Sequence, residues 1–249
     1  MKIRNVGIGE AQGPRDEMQD VVLAARRIYG STDYYGVFDG HGEYGAEIAE
    51  LTSKTLDAGK DYARFKNVSE KALYAAQLLT DLDDSLRLVN DHSEYSGTTA
   101  TLAILKKDEV AVAYLGDSEA FYYQDDGELI SLTNAHNVHN SSEVKRVTEL
   151  GHSIDGDHFG GEISVSRAVG DHGRPLVSSK AEINSLKLTV PGTLVIASDG
   201  VWGDMHDDIH HDIFSNKRLR QSSALAEYLV SEYAIPNNDN ASAVTLRIK

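Results

Sequence analysis

The chain has 249 residues, 41% of them apolar and 25% charged, which fits a globular protein with a sizeable core, and it contains no cysteine. Disulfides and thiolate metal sites are excluded on that count, and a formal charge of −15 argues against a nucleic-acid surface, which needs clustered Lys and Arg. No apolar run is long enough to span a bilayer, and the first residues do not form a secretory signal.

In chain order, residues 21–25 and 34–38 read as strands around a turn at Gly30-Ser31-Thr32-Asp33. Residues 45–56 read as a helix. A longer helix is predicted over 69–90, because Leu73, Ala76, Leu79, Leu82, Leu86 and Val89 recur along one stripe at helical spacing. A strand meander follows over 98–105, 110–115, 120–123 and 128–132, with Asp125-Asp126-Gly127 as a hairpin turn. Residues 142–150 form a helix closed by Gly151. A strand near Ser164 and another over 193–197 precede helices over 207–216 and 222–233, and residues 242–248 close the chain as a strand. With no repeat or linker, one domain over 1–249 is expected. Antiparallel-style strands with inserted helices indicate an α+β class.

Three of the strand-like runs end on an acid: Val37-Phe38-Asp39-Gly40-His41-Gly42, Ala113-Tyr114-Leu115-Gly116-Asp117-Ser118, and Val195-Ile196-Ala197-Ser198-Asp199-Gly200. Any one of them could be a turn signal. Together with Asp20 and Asp239 they suggest a constructed acidic site. Grouped carboxylates holding divalent cations would invert the local potential and admit an anionic substrate despite the net charge. His206 and His210 would share a helix face and are weighed as zinc ligands, but no third ligand stands near them, so they read as solvated surface, as do His136 and His139.

Taken in sequence, the motifs resemble the PPM (PP2C-like) family of metal-dependent serine/threonine protein phosphatases. The resemblance rests on the Arg15 to Asp20 segment, the Asp39-Gly40-His41-Gly42 run, Ser96-Gly97-Thr98-Thr99-Ala100, and Gly116-Asp117-Ser118. It continues through Leu132-Thr133, Ser166-Arg167-Ala168-Val169-Gly170-Asp171, Ser198-Asp199-Gly200-Val201-Trp202 and Asp239-Asn240. It implies a four-layer α/β/β/α sandwich with two central antiparallel sheets and the site at one edge. It also implies that Asp39 bridges two Mn²⁺ or Mg²⁺ ions with the Gly40 carbonyl as a backbone ligand. Asp199 and Asp239 complete the second ion, Asp20 acts behind the ligands, and Asp117 helps to hold a weaker third ion. Arg15 would hold the substrate phosphate and His41 would protonate the leaving alkoxide. Phosphoproteins are the implied partners of a cytoplasmic monomer that uses neither nucleic acid nor membrane; a secreted or injected chain without cysteines stays open.

Several positions depart from the family pattern. Gln19 stands where Glu is usual, and Gly203 stands where an acid helps to hold the third ion, with Asp204 one residue late. Glu119, Ala135 and Glu43 replace a basic residue, an acid and a glycine, and the tract from Asp171 to Pro191 is short. Gln19 and Gly203 support an alternative, a phosphatase-like binding module with little or no catalysis. A carboxylate-pair glycosidase has no support beyond the acids themselves.

Overall fold

A computed structural model of the chain describes residues 1–28, 32–89, 91–203 and 206–249. The strands in order are β1 (Ile3–Ala11), β2 (Val21–Ile28), β3 (Thr32–Phe38), β4 (Gly40–His41), β5 (Gly97–Thr98), β6 (Ala100–Lys106), β7 (Glu109–Leu115) and β8 (Glu119–Gln124). They continue with β9 (Leu129–Ser131), β10 (Ile154–Asp155), β11 (His158–Phe159), β12 (Val169–Gly170), β13 (Glu182–Lys187), β14 (Gly192–Ala197) and β15 (Ala241–Ile248). The α-helices are α1 (Gly45–Asp57), α2 (Val68–Val89), α3 (Ser141–Glu149), α4 (Asp199–Trp202), α5 (His206–Ser215), α6 (Lys217–Arg220) and α7 (Leu225–Tyr233). None of the described helices is long and apolar enough to cross a membrane.

Two five-stranded sheets, ordered β1-β15-β14-β8-β9 and β13-β7-β6-β3-β2, pair throughout in antiparallel register. Side chains alternate between the two faces of a strand, and here both faces are buried. In β3, Tyr35 and Val37 point between the sheets, while Tyr34 and Phe38 point outward under α1 and α2. In β14, Leu194 and Ile196 enter the inter-sheet core, whereas Val195 and Ala197 meet Trp202, Ile209 and Leu229 of α4, α5 and α7. Burial on both faces is why these strands read as unbroken apolar runs, and it produces the four α/β/β/α layers.

The structure corrects some details. The buried face of α2 is Val68, Lys71, Ala72, Ala75, Leu79, Asp83 and Leu86, so the expected stripe is rotated: Leu73 is 62% and Val89 82% exposed. The register differs because Asp83 faces inward, accepting from the Gly170 N–H at 2.8 Å and meeting His172 Nε2 at 2.9 Å. Thr32 and Asp33 belong to β3 rather than to a turn; Gly30, Ser31, Asn90 and Asp204 lie outside the described residues. Ser164 lies in no strand; Ile163 beside it makes only an isolated bridge to Phe159. β1, which the apolar pattern does not reveal, is an edge strand held along its length by β15.

Candidate metal centre

Strand register alone gathers the acids. Asp20 precedes β2 and Asp39 follows β3, and the pairing of Val21 with Phe38 sets them side by side. The pairing of Val37 with Thr101, and of Ala100 with Leu115, brings the end of β7 to the same edge, and Asp117 comes two residues later. In the facing sheet, Ala197 pairs with Ala243 and Glu119, placing Asp199 and Asp239 at that edge too.

The turns there are closely tied. Asp39 donates its N–H to Thr99 Oγ1 at 3.1 Å and accepts the Thr99 N–H at 2.9 Å. Asn240 accepts the Gln19 N–H at 2.8 Å and donates to the Gln12 and Glu17 carbonyls at 2.8 and 2.9 Å, clamping the segment that carries Arg15. A Cβ on Gly40 would stand 2.5 Å from the Gly45 carbonyl oxygen and 2.7 Å from that of Gln19. Gly40→Ala is accordingly expected to cost about 1–3 kcal/mol by overpacking, read as a lower denaturant midpoint; an unchanged midpoint would contradict the close approach.

Asp39, Asp117 and Asp199 present carboxylate oxygens that all lie within 4.8 Å of one another. Burial is the main reason that Asp39 and Asp117 are pushed well above the usual carboxylate range; neighbouring acids, Asp20 and Asp199 for Asp39 and Asp199 for Asp117, add to it. Burial pushes Asp20 up to about 7, with the charges of Asp199 and Asp239 adding to it and the Ser198 hydroxyl, donating at 2.7 Å, opposing it. Asp239 is pushed up to about 6 by burial and by Asp199, against the pull of Arg15. Asp20 Oδ1 and Asp199 Oδ1 are buried without a hydrogen-bond partner. Such orphaned carboxyl oxygens are costly alone and suited to a hard cation, so the residues present fit a divalent metal.

The other expected residues border the same cleft, a cavity of about 380 Å³ lined by Arg15, Asp39, Gly40, His41, Asp199 and Asp239 among others. A second cavity of about 610 Å³ adjoins it through Asp117 and Asp199. Arg15 donates through its guanidinium to Asp239 Oδ2 at 2.7 Å and to the Asn238 carbonyl at 3.0 Å. Asp239 is therefore paired with Arg15 and stands apart from the tight trio, whereas Asp117 belongs to it. Gly203 caps α4 at φ 41°, and a Cβ there would meet Asn237 Oδ1 at 2.4 Å, so the expected acid does not fit without moving Asn237.

Three histidines are not the solvated residues that the sequence suggests. His136 is fully buried; its Nδ1 accepts the Gly116 N–H at 3.1 Å and its ring stacks on Tyr114. His210 is half-buried against Phe121 and Trp202 and hydrogen-bonds the Tyr123 hydroxyl at 2.7 Å. His206 Nε2 lies 3.3 Å from Glu119 Oε1. The sequence reading also missed Glu143, which sits beneath the 164–167 loop. Burial pushes its carboxyl up, but hydrogen bonds from Arg167, Ser166 and Arg146 outweigh this and hold it at about 2. Their only signal was the spacing of Glu143, Arg146, Ser166 and Arg167, which becomes meaningful once two distant segments meet.

Comparison with known proteins bears on the family and the fold. Protein phosphatase 2C 57 of Arabidopsis thaliana is 34% identical over 181 residues, covering 66% of this chain and 46% of its own length. Bovine (Bos taurus) protein phosphatase 1L is 28% identical over 236 residues, covering 87% of this chain and 62% of its own. The chain thus spans about half to three-fifths of these two relatives. A solved serine-threonine phosphatase 2C from Toxoplasma gondii superposes with a TM-score of 0.74 over 98% of this chain and 94% of that one, and at 22% identity it speaks for the fold alone. The profile of the protein phosphatase 2C family matches residues 4–239, nearly the whole sequence, and the chain belongs to that family.

Proposed function

We propose that residues 1–249 form one phosphatase domain that removes phosphate from phosphoserine and phosphothreonine side chains with the help of Mn²⁺ or Mg²⁺. One observation carries the reading: Asp39, Asp117 and Asp199 converge within 4.8 Å in the cleft that Arg15 and His41 also line. Asp39 with the Gly40 carbonyl, and Asp199 with Asp239, would hold two cations; Asp20 would support them from behind and Asp117 would also serve a weaker third. When bound, such cations neutralise phosphoryl charge and activate a water for in-line attack, without a covalent phosphoenzyme. Arg15 would exchange Asp239 for the substrate phosphate, which suits its planar fork. His41 would hold a proton for the oxygen of the departing side chain.

The test is hydrolysis of an aryl phosphate and a phosphothreonine peptide by the purified chain, with and without Mn²⁺. Metal-independent hydrolysis would overturn the reading. Metal binding without hydrolysis would favour the second one, a phosphatase-like binding module, which is supported by Gly203 leaving no carboxylate in the usual place.

Gln19 bears on the same choice. Its amide donates to Glu17 Oε1 at 2.6 Å and to the Gly42 carbonyl at 2.7 Å, two bonds that a carboxylate cannot make. Gln19→Glu is expected to destabilise the metal-free protein by about 1–3 kcal/mol, because it sets like charge against Glu17. If position 19 supports the metal ligands, the same change raises Mn²⁺ affinity by about 10-fold. Calorimetric metal titration checks this, and unchanged affinity would show that position 19 has no such part.

A further inference from the structure

His41 does not stand alone. Its Nε2 lies 2.5 Å from Asp171 Oδ2, and Asp171 is completely buried at its side chain while His41 keeps 28% exposure. The other oxygen of Asp171 accepts from the guanidinium of Arg174, which also lies over the Tyr95 ring. A small three-stranded sheet, ordered β12-β5-β4, brings the pair together although 130 residues separate them. In it His41 pairs with Gly97, and Gly97 pairs in turn with Gly170, the neighbour of Asp171. The middle position must be bare for the outer side chains to meet: a Cβ on Gly97 would stand 2.6 Å from Asp171 Oδ2 and 3.0 Å from His41 Nε2. Asp171 itself adopts φ 54°, a left-handed conformation rare for a non-glycine residue, and its N–H donates to the Ser96 carbonyl at 3.0 Å. Strain of this kind persists only where the surroundings over-determine it.

We propose that Asp171 is a positioning residue for the proposed general acid, an inference that rests on the phosphatase reading above. A carboxylate that already accepts from Arg174 acts as an acceptor on its other oxygen too, so His41 Nε2 carries a hydrogen and Nδ1 is the nitrogen left for the cleft. In the doubly protonated ring the Nδ1 proton is the one available for transfer. As water adds to phosphorus and the P–O bond to the substrate side chain breaks, the electron pair of that bond stays on the side-chain oxygen. The Nδ1 proton passes to that oxygen, and the neutral ring keeps its Nε2–H on Asp171. A proton released by the attacking water restores the ring, so that one alcohol and one phosphate leave per water consumed. Asp171 thus holds the ring in one orientation and one tautomer and touches neither substrate nor metal.

Leaving-group basicity separates this role from a structural one. For the Mn²⁺-loaded full chain, Asp171→Asn is expected to lower kcat on a phosphothreonine peptide by about 10²-fold, because the departing alkoxide needs a proton. On p-nitrophenyl phosphate, whose leaving group is weakly basic, the loss should stay under about 3-fold. In a double-mutant cycle on the peptide, adding Asp171→Asn to His41→Ala should cost no more than about 2-fold. Equal losses on both substrates, or additive losses in the cycle, would overturn the role of Asp171 and leave the phosphatase reading intact. A wild type that hydrolyses neither substrate would overturn that reading, and this inference with it. If the variant does not fold, ¹⁵N resonances of wild-type His41 decide: Nε2 is expected to keep its hydrogen whether the ring carries one proton or two, and a singly protonated ring with its hydrogen on Nδ1 would overturn the proposal.

Discussion

Asp39→Asn is expected to lower Mn²⁺-dependent hydrolysis by more than ~100-fold and, at the same time, to raise the melting temperature of the metal-free protein. The first effect follows from its place in the trio: losing a partner that merely supports ligands costs about 10–100-fold, so losing a carboxylate that would itself hold the proposed cations should cost more. The second follows from burial, with Asp20 and Asp199 adding to it, which pushes this carboxyl well above its ordinary range. A neutral amide of the same shape relieves that penalty. Opposite signs in activity and stability mark a residue kept for function against the interest of the fold. Calorimetry and a Mn²⁺-dependent peptide assay on the same preparation measure both, and undiminished activity would remove Asp39 from the proposed centre.

The second large effect is a pH dependence of metal stabilisation. In the unfolded chain Asp20 titrates near its ordinary 3.8; in the metal-free native state it is pushed up to about 7. Asp239 moves from 3.8 to about 6 in the same way. Between those limits the native state retains protons that the unfolded chain has released. These groups therefore make metal-free stability fall as pH rises from about 4 to about 7. A divalent cation needs the same carboxylates ionised, so its binding displaces protons and strengthens as pH rises. The Mn²⁺-induced rise in melting temperature is expected to be small at pH 5 and large at pH 8. There, cation at about 100 times its dissociation constant stabilises by about 2.7 kcal/mol. A rise independent of pH, or proton release undetectable in two buffers of different ionisation enthalpy, would contradict a cation held by these acids.

Much of the layered fold is legible in the chain because strands buried on both faces write themselves as apolar runs. Residues 34–38, 110–115 and 193–197 fall within strands for that reason. The helices over 45–56 and 69–90 are recovered to within one or two residues. β1 and β13 are not legible in this way. Each lies at a sheet edge with half-exposed positions, so its identity depends on the register offered by β15 or β7 rather than on its own pattern. The buried face of α2 escapes the apolar pattern for a related reason. An inward Asp is invisible to an apolar count until Gly170 and His172 appear as its partners.

The site divides along the same line. Local order in the chain is enough to name Asp39, Asp117, Asp199, Asp239, Arg15 and His41, because each sits at the end of an apolar run or in a motif in family order. What tertiary structure alone decided is which of them meet. It places Asp117 beside Asp39 and Asp199, and it pairs Asp239 with Arg15. It sinks His136 into the core, and it sets Asp171 against His41 across a bare glycine. The physical reason is distance along the chain: a residue type and its spacing constrain neighbours within a turn or a strand. Partners 130 residues apart, as His41 and Asp171 are, come together only through strand register, and register is a property of the packed sheets.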